Sequence, residues 1–279
     1  MEGYITLALD HPRYLAMAVN LARSLAYFDP KRPRCLVYND GVTITPDVRH
    51  VFHDLVRIDA RPGYLGCMNK IRLYDLTPYD RTMYIDADCL LVKGDIDRHW
   101  VALANSEFVM TGEKRTSGSW NRLDFRAVCE ELKIPYVVQM NSGVFAFSRG
   151  ERARLFFERL QTLYRDHRDL LSNIHQSRKG QYADEPFFGA AMGEFGFSPT
   201  GGRAEDGSWM VTTWNAKNCR FDPFRGESRI DKPSRYWFGV RHFPREWVVH
   251  SPTIAHFIGL KPKSVYARAA SFFIDAAQL

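Results

Sequence analysis

Cysteine is scarce in this chain of 279 residues. There are five, Cys35, Cys67, Cys89, Cys129 and Cys219, scattered and with no Cys-x-x-Cys pair. That argues against a disulfide scaffold and predicts reduced thiols, most of them in the core. Long apolar runs are also missing: no stretch of about 18 apolar residues occurs, so no membrane-spanning helix is expected. The opening Met1-Glu2-Gly3-Tyr4 is acidic and enters a strand at once, unlike a secretory signal. The expected compartment is the cytoplasm. No Gly-rich phosphate loop follows the first apolar strand, which argues against a nucleotidyltransferase. There is no internal repeat and no low-complexity tract.

What is present is ordinary in bulk, with 45% hydrophobic and 25% charged residues. The length is enough to bury a large core. The net charge of +6 is uneven, because residues 201–279 hold 12 Lys and Arg against 7 Asp and Glu. These basic residues are interleaved with Trp209, Trp214, Tyr236, Trp237 and Trp247. Two readings stand: a solvated face over an aromatic core, or a surface for a polyanionic partner such as a phosphorylated glycan, membrane headgroups or nucleic acid.

Strand and helix patterns alternate along the first half. Tyr4 to Leu9 reads as a buried strand, and Tyr14 to Tyr27 as a helix with Leu15, Ala18, Val19, Ala22, Leu25 and Ala26 at helical spacing. Strands at Arg34 to Tyr38 and Val56 to Ile58 alternate with helices at Pro46 to Leu55 and Cys67 to Leu76. A strand from Thr82 to Ile85 follows. The order predicts an α/β fold with a mostly parallel central sheet and helices on both faces. Later, Gly143 to Phe147 reads as a strand, Glu151 to Leu171 as a long helix and Asp184 to Phe195 as a short one. Ser198 to Ser208 reads as a loop. Short strands at Met210 to Thr213, Trp247 to His250 and Ile254 to Phe257 precede a last helix from about Ser264. No linker divides the chain, so residues 1–279 are expected to form a single domain.

The segment Tyr84-Ile85-Asp86-Ala87-Asp88-Cys89 carries the strongest chemical signal. Two acids one residue apart at the end of a strand share a face, where their repulsion favours a cation. Such a cation keeps positions open for phosphate oxygens. Ligands in α/β sheets bind outside the carboxyl ends of the strands, where this pair falls. Three further clusters accompany it. Asn141-Ser142-Gly143 precedes an apolar strand and reads as a turn or as sugar-hydroxyl ligands. Asp184-Glu185-Pro186 opens a helix, with Asp184 as an N-cap or as a carboxylate beside a glycosyl centre. His256-Phe257-Ile258-Gly259-Leu260-Lys261-Pro262 offers an imidazole, a permissive glycine and a point charge suited to phosphate.

Taken in order, these segments resemble the metal-dependent nucleotide-sugar glycosyltransferases of the GT-A fold, family 8. That family includes glycogenin and the bacterial lipopolysaccharide galactosyltransferases. Tyr4 to Ala8 with Tyr14, Ala22-Arg23-Ser24-Leu25 and Asn69-Lys70-Ile71-Arg72-Leu73 complete the match. The resemblance implies a nucleotide-binding half over about residues 1–100, then an acceptor half with a C-terminal metal and phosphate segment over about 101–279. It implies that Asp86, Asp88 and His256 hold Mn²⁺ or Mg²⁺ against the diphosphate of a UDP-sugar, with Ala87 between the acids. Tyr14 would stack on uracil, with Thr6 and Ala8 lining the base pocket. Lys70, Asn141, Ser142, Asp184 and Glu185 would surround the donor sugar, Asp184 and Glu185 as the catalytic pair. Gly259 and Lys261 would meet the β-phosphate, and transfer would retain anomeric configuration.

Three positions depart from the family. Glu185 stands where Gln is usual, which makes a nucleophile or an ion-pair partner of it. One residue, not two, separates Gly259 from Lys261. Lys263 replaces the usual Trp after Lys-Pro. The expected acceptor is a hydroxyl on a glycan or lipopolysaccharide. The basic C-terminal third adds a minority reading, a hydroxylated DNA base presented outside the duplex. A non-catalytic sugar-nucleotide or polyanion-binding protein on the same scaffold is the alternative of a different class.

Overall fold

A computed structural model describes residues 1–59, 64–120, 123–172, 182–200, 209–233 and 247–276. A six-stranded sheet organises it, in the spatial order Asp54–Arg57, Arg34–Tyr38, Glu2–Ala8, Arg81–Ile85, Val144–Ser148, Phe108–Met110. The first four run parallel; Val144–Ser148 is antiparallel to both its neighbours. The α/β architecture with a mostly parallel sheet is therefore present, with one reversed strand inside it.

Period-two alternation sends side chains to opposite faces. Ile5, Leu7, Tyr84, Phe145 and Phe147 join an aromatic core completed by Phe108, Phe156, Phe157 and Phe188. Tyr4, Met83, Ile85, Val144 and Ala146 face the other way, onto Leu21 and Leu25 of the helix Pro12–Phe28. That helix starts from His11, whose Nδ1 accepts the Arg13 N–H, and it carries Pro12 in its first turn. Burial on both faces matches the near-continuous apolar strands.

A second, three-stranded sheet is set by Cys89–Leu91, with order Met210–Thr212, Ile254–His256, Cys89–Leu91. Its antiparallel register pairs His256 with Cys89. A helix Lys263–Ala276 then packs on Pro12–Phe28, where Tyr27 and Phe28 meet Phe272 and Phe273 edge to face. No helix among the described residues is long and apolar enough to cross a membrane.

Several boundaries differ from the sequence reading. The helix from Pro46 ends at Val51, because Leu55 and Val56 take up ladder positions against Leu36 and Val37. Glu151–Asp166 and Arg168–Leu171 are separate helices; His167 leaves helical dihedrals and its N–H closes on the Leu163 carbonyl. Cys67–Leu76 is a 3-10 segment, Gly66–Arg72, followed by a single α turn, Leu73–Leu76. All five cysteines are free, but only Cys35 and Cys89 are buried. Most of the expected loop at Ser198 to Ser208, and Tyr236 and Trp237, lie outside the described residues.

Candidate active site

Three pieces of backbone pairing assemble the cluster. Because Val144–Ser148 runs antiparallel to Arg81–Ile85, its start lies at the other strand's carboxyl end. The Asp86 N–H donates to the Gly143 carbonyl at 2.7 Å. Asn141-Ser142-Gly143 thereby lies beside the acids. The Phe257 N–H donates to the Asp88 carbonyl at 2.9 Å, which brings His256 alongside. The helix Glu185–Phe195 lies against Val137–Gln139, and its glycines permit that approach. A Cβ on Gly189 would sit 2.3 Å from the Val138 carbonyl oxygen, and one on Gly193 would sit 1.8 Å from that of Tyr136. The N-terminus of this helix presents Asp184 and Glu185.

The paired aspartates lie just past the carboxyl end of their strand, as expected, but in a turn and not on the strand's pleat. Strand pairing stops at Ile85, and the Cys89 N–H closes a turn on the Asp86 carbonyl at 2.9 Å. The chain turns here because Cys89–Leu91 leaves the first sheet to pair with Ile254–His256. The two carboxylates consequently have different partners. His256 Nε2 is 3.1 Å from Asp88 Oδ1 and 3.9 Å from Asp86 Oδ2. Asp86 also takes the Lys70 ammonium, 3.0 Å from its Oδ1, and the Tyr84 hydroxyl.

Lys70 is buried and fully engaged. Its Nζ donates to Ser142 Oγ at 3.0 Å, lies 3.3 Å from Asp184 Oδ2 and sits 5.2 Å from the centre of the Tyr84 ring. Burial alone would discharge such an ammonium; Asp184 and Asp86 outweigh it and hold the group above the ordinary lysine range. Asp184 makes no capping hydrogen bond to its helix. It occupies the N-cap position, as expected, but its carboxylate faces Lys70 instead of capping the helix.

Electrostatics divide the remaining groups. Asp86 is opposed by burial, yet Lys70, His256 and Tyr84 hold it below the usual carboxylate range. Burial also works against the His256 imidazolium, and Asp88 and Asp86 outweigh that to raise it. Glu185 is pushed up to about 7 by burial and by the neighbouring Asp184 charge. Asn141 Nδ2 donates to Glu185 Oε1 at 3.0 Å.

A carboxylate oxygen of Asp88, Sγ of Cys89 and a ring nitrogen of His256 lie within 4.8 Å of one another. Burial raises the Cys89 thiol far above its usual range, and a thiol is a soft donor poorly matched to a hard cation. The donors that suit Mn²⁺ or Mg²⁺ are carboxylate and imidazole: Asp88 Oδ1 stands 3.1 Å from His256 Nε2, and Asp86, outside that close group, reaches the same nitrogen at 3.9 Å.

The other expected site residues are spread around this cluster. Thr6 and Ala8 are buried on the sheet face covered by Pro12–Phe28, Thr6 with an unpartnered hydroxyl and Ala8 against Leu15 and Ala18. Ala87 is buried in the same cluster. Tyr14 is half-buried at the start of the helix, with the Arg13 guanidinium 4.7 Å from its ring centre. Gly259, at φ +62°, and Lys261 are exposed just beyond His256. Among the described residues no hydrogen bond or ion pair ties these last three to the acids. Tyr84 escaped the sequence reading, although it lies two residues before Asp86, in the strand that ends at Ile85, and stacks on Phe145. Period two was the available signal.

No protein-family model matches the chain. A curated relative, UDP-glucuronate:xylan alpha-glucuronosyltransferase 2 of Arabidopsis thaliana, is 28% identical over 104 residues. That match covers 33% of this chain and only 17% of the plant protein. Among solved structures, galactosyltransferase LgtC in complex with donor and acceptor sugar analogs is similar over 100% of this chain and 95% of its own. Its TM-score is 0.55 at 16% identity. An active-site mutant of LgtC gives a TM-score of 0.53 at 16% identity over the same shares. The architecture of this chain is accordingly the GT-A fold, shared with LgtC.

Proposed function

We propose that the chain is a metal-dependent, retaining glycosyltransferase that moves a sugar from a UDP-sugar to an acceptor hydroxyl. The observation that carries this reading is the meeting of Asp86, Asp88 and His256 at the carboxyl end of a GT-A sheet. Asp86, Asp88 and His256 would hold Mn²⁺ or Mg²⁺. The bound cation would supply positive charge for the leaving diphosphate, an effect felt most in the transition state. A charge pair at 4 Å and an effective dielectric of 20 is worth roughly 4 kcal/mol, or about three decades of rate.

The protein's own groups do the rest. Tyr14 would offer its ring to uracil, with Ala8 and Thr6 buried in the strand behind it. Lys70 lies between Asp86 and Asp184, offsets their mutual repulsion and adds a fixed positive charge. Ala87 packs inward between the two half-buried acids. Ser142, Asp184 and Glu185 border the space for the donor sugar. Glu185, near neutrality, can serve as nucleophile or as hydrogen-bond partner. Gly259 admits close backbone approach, and Lys261 provides a flexible ammonium for the β-phosphate. Residues 1–279 act as one unit, in the cytoplasm, on a glycan or lipopolysaccharide-type acceptor.

The test is nucleotide-sugar turnover with and without Mn²⁺. UDP-sugars should be hydrolysed or transferred only with the cation, and GDP-sugars left intact. Binding of UDP-sugars with no turnover on any glycan acceptor would instead favour a sugar-nucleotide-binding protein.

A further inference from the structure

Asn141 has both ends of its amide committed inside the protein. The Gly143 N–H, which can only donate, points to Oδ1 at 3.0 Å, and this fixes which amide atom is oxygen. Nδ2 then donates to Glu185 Oε1. His256 Nδ1 is 2.9 Å from that same Oδ1, so the ring nitrogen must carry the hydrogen. A neutral imidazole protonated at Nδ1 has a bare Nε2. Here Nε2 faces two carboxylates, an arrangement that a proton or a cation between them satisfies, and a cation draws on the lone pairs of all three groups.

Gly143 gives an independent sign of the same device. A Cβ there would lie 2.6 Å from His256 Nδ1 and 2.8 Å from Asn141 Oδ1. Only an absent side chain lets the amide and the ring close on each other.

We propose that Asn141 is a positioning residue, its amide oxygen holding the Nδ1–H tautomer of His256 so that Nε2 is presented with Asp86 and Asp88 as a cation ligand. This rests on the metal-dependent reading above and replaces the sugar-hydroxyl role expected of Asn141. Gly143 is the second part of the device, its missing side chain making room for the contact.

The experiment measures Mn²⁺ uptake by the intact chain without nucleotide, from the electron paramagnetic resonance signal of the free ion. Asn141→Ala and Gly143→Ala should weaken Mn²⁺ binding by about 10-fold or more, whereas Asn141→Asp, which keeps an acceptor, should stay within about threefold. Long-range ¹H–¹⁵N spectra of the Mg²⁺-loaded protein, with His256→Gln for assignment, should show His256 as the Nδ1–H tautomer. Wild-type affinity in a folded Asn141→Ala overturns the inference and leaves the proposed function standing. So does equal loss in Asn141→Asp and Asn141→Ala, or an Nε2–H tautomer. A wild-type chain that takes up no Mn²⁺ overturns both. Circular dichroism identifies any variant that fails to fold, and the wild-type spectra decide the tautomer without a variant.

Discussion

Single side chains in the cluster have separable consequences. Asp88→Ala leaves His256 without its 3.1 Å partner and removes one cation ligand. Transfer should fall by about three decades, checked by initial rates at limiting and at saturating Mn²⁺. Equal rates at limiting metal would remove Asp88 from the site. Glu185 makes a prediction about stability. Its pKa rises on folding from 4.5 to about 7, so the folded state binds the extra proton. The stability this gives is fully present below pH 4.5 and is lost as pH rises through 7, on the order of 3 kcal/mol across that window. Glu185→Gln has no such proton. In urea titrations without metal, its stability relative to wild type should therefore improve from pH 5 to pH 8.

Elements determine where those side chains arrive. Gly193→Ala would force the helix Glu185–Phe195 away from the Tyr136 carbonyl, because the contact is backbone and cannot yield as a side chain does. Overpacking of this kind costs about 1–3 kcal/mol, and it would move Asp184 and Glu185 at the helix start. Urea unfolding should show the first effect and a lowered kcat the second. The first half of the fold was legible because buried parallel strands and amphipathic helices write their periods openly. Glu2–Ala8, Pro12–Phe28 and Arg34–Tyr38 sit within two residues of their sequence-derived limits. The short strands Cys89–Leu91, Phe108–Met110 and Asn218–Asp222 were not legible, being three to five residues long and set by partners distant in sequence. The Asp86 to Asp88 spacing anticipated two acids just past the end of a strand, which is where they stand. Turn geometry, not strand pleat, aims them, and turn geometry depended on a sheet the local sequence does not announce.

At the scale of the whole molecule, the cluster joins residues from position 70 to position 256, so cation and nucleotide should stabilise the chain as a whole. At about 100 times the dissociation constant, bound ligand adds roughly 2.7 kcal/mol, a rise in melting temperature of about 5 °C. A thermal melt with Mn²⁺ and UDP together, compared with His256→Ala, checks this; the variant should show little of the rise.

The burial of Lys70 between Asp86 and Asp184 has one more consequence. That single ammonium is already neutralised by its neighbours, while Asp88 and Glu185 bring further acidity to the same place. An incoming diphosphate on its own would therefore be repelled. The order of arrival follows from this: the ion enters first, and UDP stripped of divalent ions finds a closed door.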